Sequence, residues 1–223
     1  MSLTVDCRHG RTFAFDPGRT ALLVIDMQRE FLDPQGAIGA AGGDILPLAA
    51  VIPNVKRVVE AARGAGIAIA HTREGHAPDL ADVPPAKRLQ YLESGIEIGA
   101  EGPLGRFFVR GERGHDFVDE LAPAPGEWVI DKPGFGAFYA TDLEHRLRQR
   151  GIRDLILTGV TTQCCVHTTL REAVDRGFRC LTVADACATQ SEVLQAATLA
   201  IIASEGHLFG WITDTDRLTA ALA

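Results

Sequence analysis

The sequence predicts an α/β protein with a doubly wound, Rossmann-like parallel sheet of about six strands and helices on both faces. Apolar segments of strand length alternate along the chain with segments of helical length and period. The strand segments are almost continuously apolar, as expected where helices cover both faces of a parallel sheet. With 223 residues, 46% of them hydrophobic, the chain suits one domain spanning residues 1–223.

The first half of the chain contains two predicted strands. LLVIDM (22–27) and GIAIAHT (66–72) are apolar runs of strand length, separated by a helical pattern near residues 44–63 that stops at a glycine. Residues 73–114 contain many Gly and Pro residues and no sustained period, which predicts a long loop excursion with one short helix near residues 86–93. Loops of this length in compact domains are usually functional.

The second half repeats the strand and helix alternation three times and ends on a strand. Each strand is again a short apolar run, and basic residues followed by glycine mark the helix ends at Gly151 and Gly177. The predicted elements are EWVID (127–131), a helix over 141–149, DLILTGV (154–160), a helix over 162–176, FRCLTVAD (178–185), a helix near 192–204, and HLFGWI (207–212).

The charge composition of the chain limits the kinds of molecule that we expect it to bind. The net charge is -7 and no run of Lys or Arg exceeds two residues, so we expect no binding to nucleic acid or to an anionic membrane surface. No segment predicts a membrane span or a signal peptide, and the five cysteines do not suggest a disulfide framework. These features predict a cytoplasmic protein that acts on a small polar molecule.

Cys165, in the segment GVTTQCCV, follows a predicted strand and opens a predicted helix. A thiol in the first turn of a helix is favoured as thiolate, the nucleophilic form, and Thr161 or Thr162 could cap that helix. Two alternatives are a buried inert cysteine and a redox pair with Cys164.

Asp26 and Lys132 stand where two other apolar runs end. The carboxyl ends of parallel strands share one crevice, so we expect Asp26, Lys132 and Cys165 to converge there as base, cation and nucleophile. Considered alone, Asp26 could equally be a helix cap and Lys132 a solvated loop residue.

The segments IDMQ, DKPG and GVTTQCCV, in this order, resemble the isochorismatase-like cysteine hydrolase superfamily over essentially the whole chain. The resemblance implies that Asp26 is the base, Lys132 the electrostatic support and Cys165 the nucleophile. It further implies a cis peptide bond between Val160 and Thr161, an oxyanion hole formed by the backbone N–H groups of Thr161 and Cys165, no cofactor, and a homo-oligomer, commonly a tetramer.

Three further segments resemble biuret hydrolase and related ureide amidohydrolases: residues 71–88, 105–121 and 168–178. This implies hydrolysis of a C–N bond in a small linear ureide, with ammonia released through a thioester; triuret, ureidoacrylate and N-carbamoyl amines are alternative substrates. Phe135 and Glu205 replace a Lys and a Gln of biuret hydrolase, so we expect them to affect specificity. Phe31 is a further candidate substrate contact, and so are Arg73, Glu74 and His76, which lie where the second predicted strand ends.

A metal site is an alternative, because nicotinamidases of the same superfamily bind metal through an Asp and two nearby His. This chain has His71 and His76 but not the D-x-H grouping, so no metal is predicted. A noncatalytic or redox-sensing homologue is disfavoured, since all three triad residues are present.

Overall fold

The computed structural model describes residues 2–223, and its centre is a six-stranded parallel sheet. In chain order the six strands occupy positions 3-2-1-4-5-6 across the sheet, which is the doubly wound order. The predicted fold class is therefore confirmed. The strands, in spatial order, are β10 (Trp211–Thr213), β9 (Arg179–Ala188), β8 (Asp154–Val160), β3 (Thr20–Ile25), β4 (Ala68–Glu74) and β7 (Trp128–Lys132).

Helices cover both faces of this sheet because successive strand residues point to opposite sides. In β3, Leu22 packs in one apolar cluster and Leu23 in another, and every residue of the strand is buried. The helices are α1 (Arg29–Leu32), α2 (Ala37–Ala40), α3 (Leu46–Ala49), α4 (Ile52–Gly64), α5 (Pro85–Glu93), α6 (Leu143–Gln149), α7 (His167–Asp175), α8 (Glu192–Ile202) and α9 (Thr215–Leu222).

The predicted elements are present, with shifted boundaries. The helix predicted near residues 44–63 is divided into α3 and α4, and α7 begins only after a π-helical turn over Thr162–Val166. An antiparallel hairpin of β1 (Leu3–Cys7) and β2 (Arg11–Phe15), together with α9, was not predicted.

The loop excursion contains more structure than its composition suggested. Because β4 extends through Glu74, the excursion begins at Gly75, later than the predicted start at residue 73. It carries α5 almost where a short helix was predicted, and it includes a small hairpin of β5 (Glu101–Gly102) and β6 (Gly105–Arg106). Among residues 2–223, no helix is long and apolar enough to cross a membrane.

Gly159 allows β8 to lie close against β3 near the end of β8, just before the turn that carries the predicted nucleophile. Its φ is +108°, and an added Cβ would lie 2.0 Å from the carbonyl oxygen of Ile25. The pairing between β8 and β9 shifts register here, between Leu157 and Gly159. A side chain at this position would therefore separate the two strands that carry the site.

We predict that Gly159→Ala lowers the free energy of unfolding by more than about 2 kcal/mol, since it combines a positive φ with a backbone clash. Urea denaturation measures the change. The matched control is Gly64→Ala at the end of α4, where an added Cβ meets nothing within 4 Å; it should leave stability unchanged or raise it slightly. Equal effects of the two substitutions would contradict this account.

Candidate active site

Strands β3, β7 and β8 bring the three predicted catalytic side chains together at the carboxyl edge of the sheet. Lys132 is the last residue of β7, Asp26 follows β3, and Cys165 lies in the turn after β8. Lys132 Nζ lies 2.8 Å from Asp26 Oδ2, and neither side chain is exposed. Cys165 Sγ lies within 4.8 Å of an Asp26 carboxylate oxygen. The three groups share one buried site; their catalytic roles stay predictions.

Glu74, at the end of β4, is a fourth member of this site; the sequence suggested it only as a candidate substrate contact, without a place beside the three catalytic candidates. Strand register pairs Glu74 with Lys132. Its Oε2 lies 3.6 Å from Cys165 Sγ and 3.8 Å from Lys132 Nζ, and its side chain is 1% exposed. The available signal was positional: Glu74 ends the strand that lies between those carrying Asp26 and Lys132.

The loop excursion supplies a second ammonium group through α5. Lys87 and Tyr91 are four residues apart and therefore share one helix face. Lys87 Nζ lies 2.6 Å from Glu74 Oε1, and Tyr91 Oη donates to the same oxygen at 2.5 Å. Lys87 also donates to the carbonyl oxygen of Pro133 at 2.6 Å. The excursion thus completes the charge pattern around the thiol.

Two polar residues hold the carboxylates in place. Thr72 Oγ1 donates to Asp26 Oδ1 at 2.5 Å. Gln28, from the IDMQ segment, accepts from the backbone N–H of Glu74 at 2.7 Å and donates to its carbonyl oxygen at 3.0 Å. The motif glutamine therefore fixes the backbone of Glu74, which fixes where the carboxylate points.

Burial and charge act in opposite directions on the ionisable groups of the site. Burial raises the pKa of Asp26 although Lys132 opposes it. Burial disfavours the Lys132 ammonium, yet the negative charges around it outweigh this effect and raise its pKa. Burial favours neutral Glu74, but Lys132, Lys87 and the Tyr91 hydroxyl outweigh it and lower the pKa of that carboxyl. The close contacts of Lys132 with Asp26 at 2.8 Å and of Lys87 with Glu74 at 2.6 Å pair each carboxylate of the site with one ammonium group.

The expectation that Cys165 rests as a thiolate is wrong. The neighbouring Cys164 thiol, burial, and the charges of Asp26 and Glu74 raise the pKa of Cys165 well above its ordinary value, and Lys132 offsets them only in part. The resting group is a thiol, which donates to Glu74 Oε2 at 3.6 Å. A helix terminus contributes about half a charge, which cannot balance two carboxylates at this range.

The turn that carries Cys165 has the predicted cis peptide bond between Val160 and Thr161. Its carbonyl at Thr161 accepts from the N–H groups of Cys164 at 3.1 Å and Val166 at 3.2 Å. The expected threonine cap is absent among the described residues, since Thr161 makes no side-chain capping bond and Thr162 Oγ1 has no hydrogen-bond partner. The oxyanion role of the Thr161 and Cys165 N–H groups stays a prediction.

Two of the predicted substrate contacts lie in an aromatic group beside Lys87. Phe135 stacks on Tyr91 with ring centroids 6.3 Å apart, and Lys87 Nζ lies 5.1 Å from the Phe135 ring. Phe31 packs on Phe108 with centroids 5.6 Å apart and is buried. These aromatic side chains border the charged site, and their contact with substrate stays a prediction.

The structure does not support Arg73 and Glu205 as substrate contacts. Register pairs Arg73 with Asp131 on the face opposite to Glu74, and its guanidinium contacts that carboxylate at 2.7 Å. Glu205 is exposed and precedes β10, so it lies at the amino edge of the parallel sheet, whereas the thiol lies at the carboxyl edge. Glu205 was suggested by its match to a Gln of biuret hydrolase, which does not by itself locate the residue in this fold.

The cluster also bears on the metal alternative. Donor atoms of Asp26, Glu74 and Cys165 lie within 4.8 Å of one another, but two ammonium groups already neutralise both carboxylates. Among residues 2–223, no group of three potential donor side chains includes a histidine. His71 instead contacts Glu127 at 2.8 Å, and His76 lies 3.4 Å from Asp82. The donor set does not fit the zinc site considered for His71 and His76.

A thiol, two carboxylates and two ammonium groups at the carboxyl edge of a doubly wound sheet define a class of α/β protein with a buried cysteine site. The chain belongs to the isochorismatase family: the model of the Isochorismatase domain matches residues 20–217.

Two curated relatives are ureidoacrylate amidohydrolases named RutB. That of Serratia proteamaculans (strain 568) is 34% identical over 226 residues, covering 100% of this chain and 90% of the relative. That of Methylorubrum extorquens (strain DM4) is 34% identical over 214 residues, covering 94% and 85%. Among solved structures, a cysteine hydrolase from Pseudomonas syringae pv. phaseolicola 1448A superposes with a TM-score of 0.79 at 26% identity, covering 93% of this chain and 94% of that one.

We predict that Lys132→Met slows alkylation of Cys165 by iodoacetamide at pH 7 by at least about tenfold, the effect of one pKa unit on the thiolate fraction. The substitution removes the cation that opposes the raised thiol pKa. Peptide mass spectrometry quantifies modification of Cys165 separately from Cys164. Lys56→Met, at an exposed position on α4, is the control with the same change in net charge. Wild-type alkylation rates in Lys132→Met would show that Lys132 gives the thiolate no electrostatic support.

Proposed function

We propose that this chain is a cysteine-dependent amidohydrolase that cleaves a C–N bond of a small linear ureide. The observation that carries the proposal is the buried thiol of Cys165 beside the Asp26–Lys132 ion pair. Sequence similarity to two ureidoacrylate amidohydrolases over at least 85% of their length supports the ureide class.

The first step of the proposed reaction, formation of the Cys165 thiolate, follows from the summed charge of the side chains in the site. With a neutral thiol, the charges of Asp26, Glu74, Lys132 and Lys87 sum to zero. Moving the Cys165 proton to Asp26 creates the nucleophile while keeping that sum at zero, whereas loss of the proton to solvent would leave one uncompensated buried charge. Asp26 is the better acceptor of the two carboxylates, because its pKa is raised and that of Glu74 is lowered.

The remaining steps balance without a cofactor. The Cys165 sulfur bonds to the ureide carbonyl carbon, and the resulting oxyanion accepts from the backbone N–H groups of Thr161 and Cys165. The C–N bond then breaks, and the proton held by Asp26 passes to the leaving nitrogen, which departs as ammonia. Asp26 next takes a proton from water, whose oxygen attacks the thioester. Release of the carboxylated product returns the proton to sulfur.

Glu74 supports a ureide over a simple ester. An ionised carboxylate only accepts hydrogen bonds, and Oε2 faces the attacking sulfur at 3.6 Å. A ureide carries N–H donors on either side of its carbonyl, so one of them can donate to Glu74 while the carbonyl carbon meets the sulfur. An ester places an acceptor oxygen at that point, which the carboxylate would repel.

Ureidoacrylate is the first substrate to test, because the curated relatives act on it by name. Biuret, triuret and N-carbamoyl amines, anticipated from segments of the sequence, remain proposals within the same class. We further propose that the enzyme works in the cytoplasm as a homo-oligomer, as the sequence led us to expect.

We predict that Cys165→Ala lowers ammonia release from its best ureide at least ~10³-fold, because no other group can form the thioester. A coupled ammonia assay across ureidoacrylate, biuret, triuret, an N-carbamoyl amine and nicotinamide identifies that substrate. Cys164→Ser is the matched control and should retain most activity. If Cys164→Ser and Cys165→Ala lose activity equally, or if Cys165→Ala retains it, the assignment of the nucleophile fails.

We predict that kcat/KM declines with falling pH at values above the ordinary aspartate pKa of about 3.9. Asp26 must be a carboxylate to accept the thiol proton, and burial raises its pKa, so the active form is present above that raised value and lost below it. A pH profile of kcat/KM on the best ureide measures the acid limb, with a parallel stability profile to exclude unfolding. An acid limb near pH 4 would rule out Asp26 as a base of raised pKa.

A further inference from the structure

Lys87 occupies an unusual position for a residue of a surface loop excursion. Its side chain is 8% exposed, although it enters from α5, outside the central sheet. Its ammonium lies 2.6 Å from Glu74 Oε1, donates to the Pro133 carbonyl at 2.6 Å, and lies 5.4 Å from the Tyr91 ring. A buried ammonium persists only where such partners compensate its lost hydration.

The Lys87 ammonium stabilises the carboxylate form of Glu74. The Glu74 side chain is only 1% exposed, and a buried carboxylate takes up a proton unless nearby positive charge and donors hold it ionised. The second ammonium, that of Lys132, lies 3.8 Å away and is closer to Asp26, at 2.8 Å. Both ammonium groups lower the pKa of Glu74, and Lys87 is the one in direct hydrogen-bond contact with it.

The state of Glu74 decides what the site can bind beside the sulfur. As a carboxylate it accepts an N–H donor; as a neutral acid it also presents an O–H donor and competes for the substrate carbonyl. Tyr91 favours the anion through its hydrogen bond but adds no positive charge to balance it.

We propose that Lys87 is a positioning residue that keeps Glu74 ionised beside Cys165, so that the site selects substrates with an N–H donor next to the carbonyl under attack. The inference rests on the proposed function for its substrate class, whereas the ionisation of Glu74 can be tested without turnover. The ionisable groups that face Glu74 from the elements packed against it are Lys87 and Tyr91 of α5, Lys132 of β7, Asp26 after β3, His76 after β4, and Cys164 and Cys165 of the π-helical turn.

The direct test is infrared titration of the free protein between pH 5 and 9. In the difference between wild type and Glu74→Gln, we expect no protonated carboxyl band from residue 74. In the difference between Lys87→Met and Glu74→Gln/Lys87→Met, we expect that band at low pH, disappearing as pH rises. A Lys87→Met protein without the band, or a wild-type protein with it, overturns the proposal.

The kinetic test is a double-mutant cycle on the best ureide. Lys87→Met should lower kcat/KM at least about tenfold at pH 6, mainly through KM, and recover as rising pH ionises Glu74. In the Glu74→Gln background the same substitution should cause no further loss and no new pH dependence. A loss that is independent of pH and persists in that background means that Lys87 is only structural. Lys56→Met controls for net charge.

Failure of the proposed function and failure of the proposal for Lys87 give different results. If wild type hydrolyses no ureide, the proposed function fails, and the infrared titration still decides the state of Glu74. If Lys87→Met does not fold, Lys87→Arg retains the charge and should show the wild-type infrared and pH profiles. A new acid limb or carboxyl band in Lys87→Arg would overturn the proposal.

Discussion

The buried ion pair between Asp26 and Lys132 is the interaction on which the site depends. Neither side chain is exposed, so both charges have lost their hydration and each requires the other at 2.8 Å. Their strands are not neighbours, since β4 lies between β3 and β7. The pair can form only if the register of all three strands is correct, and Thr72 of β4 bonds to Asp26 across that gap. Fold and chemistry are thus linked through sheet register.

The same electrostatic requirement explains why the excursion reaches the site. Asp26, Lys132, Glu74 and Lys87 alternate in sign, with successive separations of 2.8, 3.8 and 2.6 Å. Without α5, Glu74 would be a second carboxylate sharing a single ammonium. In the proposed mechanism, this set of four charges lets one proton move inside the site while the buried net charge remains constant, which keeps the desolvation cost of forming the thiolate low.

Strong local signals made most of the fold predictable. The apolar runs fixed all six strands of the central sheet, and the parallel arrangement placed Asp26, Lys132 and Cys165 at one edge. Strand ends were placed early because Glu74 and Lys132 are charged and resemble loop residues, although pairing extends through them. Glu205 was suggested only by the resemblance to biuret hydrolase, and the fold places it before β10, at the edge of the sheet opposite to the thiol.

The sequence could not predict the total charge around the Cys165 thiol, because the charged side chains come together only in the folded structure. The expectation of a thiolate counted the helix terminus and one lysine, whereas the folded site adds Glu74 and places the sulfur among two carboxylates. In the proposed mechanism the Cys165 thiol ionises only by giving its proton to Asp26, and susceptibility to oxidants follows thiolate character and exposure. Cys165 is 3% exposed, so a molecule that reacts with its sulfur must first enter the site.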